Sequence, residues 1–197
     1  MLDYARIPAG EPADRVAVMV TFMQMTVPAP RPPEIFPDGA ELSRQKLSVA
    51  AYRELYHQVG APWLWWLREV MPDQMLARHL GSPQIIIYVL TVAGRPAGFF
   101  ELDRGGWPDV NLNYFGLIPE MIGRGLGSKL LRAAINEVAL IKNPGPARRL
   151  TVNTCTADHP RALPNYRAAG FVEMRRLREI WDIPRRLGLA VPDHLRA

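Results

Sequence analysis

Apolar and polar positions alternate between a strand period and a helix period along this chain. Val16 to Met25 is apolar and rich in β-branched residues, which predicts a strand. From Arg44 to Val59 the apolar positions Leu47, Ala50, Ala51, Leu55 and Val59 recur at helical spacing, and Gly60 supplies a stop. Trp63 to Leu67 predicts a second helical stretch, and Pro72-Asp73 opens a short helix to Leu80, closed by Gly81. Gln84 to Val92, Ala97 to Asp103 and Asp109 to Ile118 are apolar runs separated by Ala93-Gly94-Arg95-Pro96 and Arg104-Gly105-Gly106-Trp107-Pro108. Such spacing predicts an antiparallel meander. Leu126, Leu130, Leu131, Ala134, Ile135 and Val138 mark one face of a helix that Asn143-Pro144-Gly145-Pro146 ends. Arg149 to Cys155 predicts a strand, His159 to Ala169 a helix and Phe171 to Ile183 a last strand. Prolines cluster in Val27 to Pro37, which predicts an irregular connection. No internal repeat is present.

The junction between the third meander strand and the helix carries the strongest chemical signal. Gly123, Gly125 and Gly127 alternate directly before Leu126 to Val138 begins its helical pattern. Glycines this close let main-chain N–H groups converge without meeting a Cβ. A helix N-terminus adds unpaired N–H donors and a positive partial charge, which suits a phosphate or pyrophosphate. The residues alone also allow a plain tight turn. A dinucleotide fingerprint does not fit, because the preceding strands are antiparallel and the glycine spacing differs. A P-loop does not fit, because Ser128-Lys129 stands in the wrong order.

The turn resembles the acyl-CoA loop of the GNAT superfamily, the Gcn5-related N-acetyltransferases. Pro119, Gly123, Gly125 and Gly127 match its pattern, and Ile122 stands where Gln or Arg is usual. A second stretch, Asp158 to Phe171, resembles the superfamily's later helix motif. Ala162, Tyr166, Gly170 and Phe171 fall in register, with His159 in place of Asn and Asn165 in place of Leu. The matched region covers residues 84 to 181. The resemblance implies an α+β fold in a single domain over residues 1 to 197. A central mixed, mostly antiparallel sheet flanked by helices is expected, in the order β-α-α-β-β-β-α-β-α-β. Residues 1 to 40 then form an N-terminal strand and a proline-rich loop.

Composition narrows the setting. At 197 residues, 48% hydrophobic and 22% charged, the chain has the makeup of one globular domain. The net charge of +5 is compatible with an anionic ligand such as CoA. The arginines are spread over several elements without interleaved aromatics, which argues against nucleic acid. A single cysteine excludes an intrachain disulfide and fits a reducing compartment. No leader pattern and no apolar run long enough to span a bilayer is present, so a cytoplasmic location is expected, with no membrane partner. No metal-ligand spacing is readable among four histidines and one cysteine. Homodimerisation is compatible with the superfamily and marked by no residue.

The resemblance also assigns roles. Acetyl-CoA is the implied co-substrate and an amine of a small molecule the implied acceptor. Main-chain groups of Ile122, Gly123, Arg124, Gly125, Leu126, Gly127 and Ser128 are candidates for the pyrophosphate, with Arg124 adding charge. Phe115 and Leu117 offer main-chain groups to pantetheine, and the Phe115 N–H is the candidate oxyanion donor. His159 and Tyr166 complete the CoA side. Tyr166 is the candidate acid for the leaving thiolate; the residues alone also fit a buried tyrosine at a helix–sheet contact.

The superfamily's usual base position is Asn111 here, and Asn113 cannot serve either. Glu101 is the leading candidate base, and its orientation depends on hairpin register. Asp103, Asp109, His57, His79, His159 and a water chain are alternatives. Tyr52, Tyr56 and Trp66, with Asn111 and Asn113, are candidate acceptor-binding residues; core packing is the competing role for the aromatics. Cys155 is read as an inert apolar residue. Two functions stay open: an acetyl-CoA-dependent N-acetyltransferase working by direct attack, and a catalytically silent acyl-CoA sensor. Longer acyl chains are a third possibility.

Overall fold

The computed structural model describes residues 5–142 and 145–197. The expected helix stop at Asn143 and Pro144 lies outside the described residues. The strands are β1 (Ala13–Thr26), β2 (Ala40–Gln45), β3 (Ile85–Val92), β4 (Arg95–Asp103), β5 (Asp109–Leu117), β6 (Arg149–Cys155) and β7 (Val172–Pro184). The helices are α1 (Val49–Gly60), α2 (Leu67–Val70), α3 (Asp73–Gly81), α4 (Leu126–Leu140) and α5 (Ala162–Ala168). All seven strands join one sheet in the order β2-β3-β4-β5-β6-β1-β7. Within it β5 and β6 run parallel and the other neighbours antiparallel.

Three local readings are corrected. Arg44 and Gln45 end a strand, pairing with Tyr88 and Ile87, and do not begin a helix. Helix α1 starts at Val49, where Ser48 Oγ accepts from the Ala51 N–H at 3.2 Å. The tryptophan run is a single helical turn (Ala61–Trp63), a left-handed Leu64 at φ 57°, and the short α2. Helix α5 begins at Ala162, because His159 to Arg161 form a turn closed by the Ala162 N–H on the His159 carbonyl. The proline-rich segment is strapped to α4. Asn136 accepts from the Arg31 N–H at 2.7 Å, and Glu34 pairs with Lys129 and Arg132.

Apolar faces explain the layering. Leu126, Leu130, Leu131, Ala134 and Val138 of α4 pack on Leu90, Phe100, Leu102, Leu112, Leu150 and Val152 of the sheet. On the opposite face Tyr52, Leu55, Tyr56 and Val59 of α1, with Leu76 of α3, pack on Ile87, Val89 and Phe99. Each fully buried side chain of this kind contributes about 1.5–3 kcal/mol. Strand β4 is covered on both faces, so every residue from Ala97 to Leu102 is buried, including Glu101. A third cluster joins Val16, Val18 and Val20 of β1 to Leu64, Trp66 and Ile183.

Two irregularities position the site. The β4–β5 ladder passes from Leu102↔Leu112 to Glu101↔Tyr114, so Asn113 is an extra residue bulged out of β5. The parallel β5–β6 pairing runs from Asp109↔Arg149 to Leu112↔Val152 and stops. Past that point the two strands part.

Candidate active site

A cleft of about 1330 Å³ opens where β5 and β6 separate. Asn111 to Leu117 and Val152 to Cys155 line it from the two strands, and the tryptophan-bearing segment Trp63 to Arg68 lines it as well. Residues of a strand that has lost its neighbour offer free main-chain groups to an extended ligand.

The glycine turn sits at the foot of this opening. Gly123 and Gly125 adopt φ of 84° and 75°, the left-handed region that side chains rarely enter. Gly125 is the N-cap of α4, and no side chain caps that helix. The first-turn N–H groups are therefore available to an anion. Ile122, Gly123, Gly125, Gly127 and Ser128 line the cleft, as do Phe115 and Leu117. Arg124 is exposed and lines no part of it, so its charge is not aimed inward. Leu126 is in the core at 3% exposure, which leaves it only a main-chain role.

Tyr166 reaches the cleft from α5, between Phe115 and Phe171 at ring distances of 6.1 and 5.6 Å. Burial and the nearby Asp158 carboxylate push its pKa upward. It is a protonated phenol at neutral pH, and nothing among the described residues accepts from its hydroxyl.

Glu101 lies elsewhere. Its side chain is fully buried, and it is not part of the cleft wall. Tyr52 donates to Oε2 at 2.5 Å, while Asn113 Nδ2 at 2.8 Å, Arg68 Nη2 at 3.1 Å and His79 Nε2 at 2.8 Å converge on Oε1. Burial alone would raise its pKa. The His79 hydrogen bond and the Arg68 charge outweigh burial and hold it at about 2. Glu101, the leading candidate base, is thus buried off the cleft wall with both carboxylate oxygens bonded. The bulge explains the partner: Asn113 is turned toward Glu101, and Asn111 donates to Asn113 at 2.5 Å while accepting from Thr151 at 2.8 Å. Asn111 and Asn113 also line the cleft.

Of the expected acceptor aromatics, Tyr56 and Trp66 line the cleft, together with Trp63, Trp65, Tyr114 and Trp181. Tyr52 does not; it belongs to the core and serves as the Glu101 partner. Two carboxylates missed by sequence reasoning lie on the same surface. Asp158 accepts from Thr154 Oγ1 at 2.7 Å, from the Cys155 N–H at 2.8 Å and from Trp65 Nε1 at 3.5 Å. Burial raises its pKa against those bonds. Glu179 accepts from Trp181 Nε1 at 2.8 Å. Among the described residues neither has a cationic partner. Arg68 was missed too, since a short helix far away in sequence gives no local sign of its destination.

The remaining candidates separate on geometry. His57 is exposed and pairs with Glu69 at 3.1 Å, away from the cleft. Asp109 is bound by Arg149. Asp103 lines the cleft but accepts from the Gly105 N–H at 2.7 Å. His159 lines the cleft beside Trp63 at 5.1 Å, with Nδ1 accepting from the Arg161 N–H at 3.0 Å. Burial and the Asp158 charge push the Cys155 thiol up to about 12, so it is no nucleophile at neutral pH. Among the described residues no group of three or more His, Cys, Asp or Glu is arranged to hold a metal ion. No described helix is long and apolar enough to cross a membrane.

In this chain a mixed sheet parts over a helix that starts at a glycine. A sequence model of the acetyltransferase (GNAT) family matches residues 50–171. The chain belongs to the GNAT acetyltransferase family. Among solved structures, a GCN5-related N-acetyltransferase from Sphaerobacter thermophilus superposes with a TM-score of 0.58 at 16% identity. That match covers 89% of this chain and 54% of that one. One from Kribbella flavida gives a TM-score of 0.56 at 14% identity, covering 87% and 60%. An aminoglycoside acetyltransferase from an uncultured soil metagenomic sample, in complex with trehalose, gives 0.54 at 14%, covering 68% and 89%. At these identities the likeness concerns the fold. The chain spans a little over half the length of the first two. No curated protein matches.

Proposed function

We propose that this chain is an acetyl-CoA-dependent N-acetyltransferase acting on a primary amine of a small molecule by direct attack. The observation that carries the reading is the end of β5–β6 pairing at Leu112↔Val152, directly above the uncapped N-terminus of α4. The first-turn N–H groups from Gly123 to Ser128 would hold the pyrophosphate, and free main-chain groups of Phe115 and Leu117 the pantetheine arm. Acetyl-CoA supplies an activated acyl carbon. The chain supplies the rest: the Phe115 N–H faces the developing oxyanion, and Tyr166 gives its phenolic proton to the departing sulfur. Aromatic walls and the Asp158 and Glu179 carboxylates, which have no cationic partner among the described residues, suit an acceptor that arrives as an ammonium ion.

Calorimetry with acetyl-CoA, desulfo-CoA and ATP tests this reading. Micromolar binding of both CoA ligands without ATP binding is expected, followed by thiol release in a screen of amines. Absence of CoA binding would overturn it. The rival reading, a silent CoA sensor, draws on the full engagement of Glu101 and on Asn111 at the usual base position. Tight CoA binding with no thiol release for any amine would favour it.

A further inference from the structure

Three members of the buried Glu101 cluster, Arg68, His79 and Asn113, line the cleft. His79 lines the cleft with a side chain 20% exposed, and its Nε2 lies 2.8 Å from Glu101 Oε1. Arg68 Nη2 lies 3.1 Å from the same oxygen and 3.0 Å from the same nitrogen. A guanidinium only donates, so it bonds the carboxylate. Two lone pairs 2.8 Å apart, one of them on an anion, repel; a proton must lie between Nε2 and Oε1. Arg68 Nη2 and Asn113 Nδ2 also donate to Oε1, so that oxygen is an acceptor and the proton belongs to the imidazole. The lone pair is then on Nδ1, and among the described residues nothing bonds Nδ1.

Charge balance fixes the rest. One carboxylate faces one permanent cation, so the cluster is neutral only with an uncharged imidazole. A second cation on His79 would stand 3.0 Å from the Arg68 guanidinium. The other groups around the imidazole do not change this count. Tyr52 of α1 donates to Glu101, and Tyr114 of β5 lies under the guanidinium at 5.3 Å. Arg53 of α1 is paired with Asp73 at the start of α3, and Asp103 of β4 is tied to the Gly105 N–H. Asn113, where β5 leaves β6, shares Glu101 Oε1 with His79, so the imidazole stands beside the parting of the strands.

We infer that His79 Nδ1 is the general base of this enzyme, with Glu101 the positioning residue that fixes its tautomer and Arg68 the guanidinium that shares Glu101 Oε1 with it. The inference rests on the acyl-transfer reading above. The acceptor ammonium gives one proton to Nδ1. Its freed lone pair forms the C–N bond as the C–S bond breaks and sulfur takes the Tyr166 proton. A second nitrogen proton returns to Tyr166 through solvent, and His79 releases its proton to water.

Two measurements test it. In protein labelled with ¹⁵N-histidine, the His79 signals are assigned by their loss in His79→Gln. A neutral Nε2–H tautomer at neutral pH is expected; an Nδ1–H tautomer or an imidazolium would overturn the inference. Kinetically, CoA-thiol release is followed with phenethylamine, tryptamine and cadaverine. His79→Ala should lower kcat by about 10²-fold or more and leave acetyl-CoA affinity within about twofold. It should also lose the acidic limb of the pH–rate profile and regain turnover with added imidazole. Glu101→Gln should lose turnover that imidazole does not restore. An unchanged profile in His79→Ala, or a loss that imidazole cannot lift, would overturn the inference by showing a packing role. If the wild type fails to bind acetyl-CoA, the acyl-transfer reading falls and the role of His79 as its base falls with it. If acetyl-CoA binds but none of the three amines is turned over, the tautomer alone decides.

Discussion

Trp65 Nε1 lies 3.5 Å from Asp158 Oδ1, across the gap where β5 and β6 part. The same indole packs against Tyr56, Tyr114 and Phe99 at ring distances of 5.4, 5.1 and 6.1 Å on the β5 side. One side chain thus spans both walls and roofs the opening. Its approach depends on Gly60, where a Cβ would stand 2.4 Å from the Trp65 Cβ.

Under the proposed function, this span puts Trp65 on the acceptor side. Trp65→Phe removes the N–H to Asp158 and keeps most of the packing. The amine KM is expected to rise about tenfold, equivalent to about 1.4 kcal/mol, with acetyl-CoA affinity unchanged. Steady-state kinetics with the amine varied, beside calorimetry with acetyl-CoA, checks both halves. A matched loss in both would remove Trp65 from acceptor binding.

At Gly125 a Cβ meets no protein atom within 4 Å, so the constraint there is conformational and lies on the ligand side. Gly125→Val forces a β-branched residue to φ 75° at a cost of about 1–2 kcal/mol. The variant should fold, with a circular dichroism spectrum like the wild type's, and lose measurable acetyl-CoA binding. Retained binding would remove the turn from the ligand site.

Tyr166→Phe deletes one hydroxyl that bonds nothing among the described residues. Stability should change little. Turnover should fall about 10- to 100-fold with acetyl-CoA affinity intact, as measured by thiol release. Because the phenol's pKa is raised, the wild-type rate should show no loss from Tyr166 ionisation below about pH 10.

Glu101 links the site to acid stability. Its folded pKa of about 2 lies below the ordinary 4.5, so the unfolded chain binds more protons in that window. The stabilisation, on the order of 3 kcal/mol, is present above pH 4.5 and is lost as pH falls toward about 2. Glu101→Gln leaves Arg68 buried without a counterion and should cost about 3–5 kcal/mol at neutral pH. In thermal melts against pH, the gap between wild type and variant should narrow below pH 4.5. A constant gap would show that the carboxylate is not held ionised.

Much of the frame was legible because its signals are local. The meander from Ile85 to Leu117 shows as apolar runs between glycine and proline turns, and α4 shows as a helical stripe after Gly127. Strand β2 was hidden because Ala40–Gln45 is half-buried or exposed and mostly polar, and its one strand partner among the described residues is β3, some fifty residues on. In the candidate site, the glycines were visible through their spacing and Tyr166 through the resemblance of its motif. Glu101 was visible as a residue but not as an environment. Its partners come from α1, α2, α3 and the β5 bulge, and no short-range pattern says that Tyr52, Arg68, His79 and Asn113 meet there.

The place of β1 in the sheet has a consequence for the order in which the chain can fold during synthesis. Its two neighbours are β6 and β7, so Val16 to Met25 has no strand to pair with until residues 149–184 have followed it. Strands β2 to β5 can meet through hairpins as they emerge, whereas this long apolar segment waits through more than a hundred residues of growth, exposed to aggregation and to chaperones. One wall of the cleft is therefore among the last parts of the chain to be completed, and a nascent chain stalled before β7 would carry the glycine turn without a finished place for a ligand.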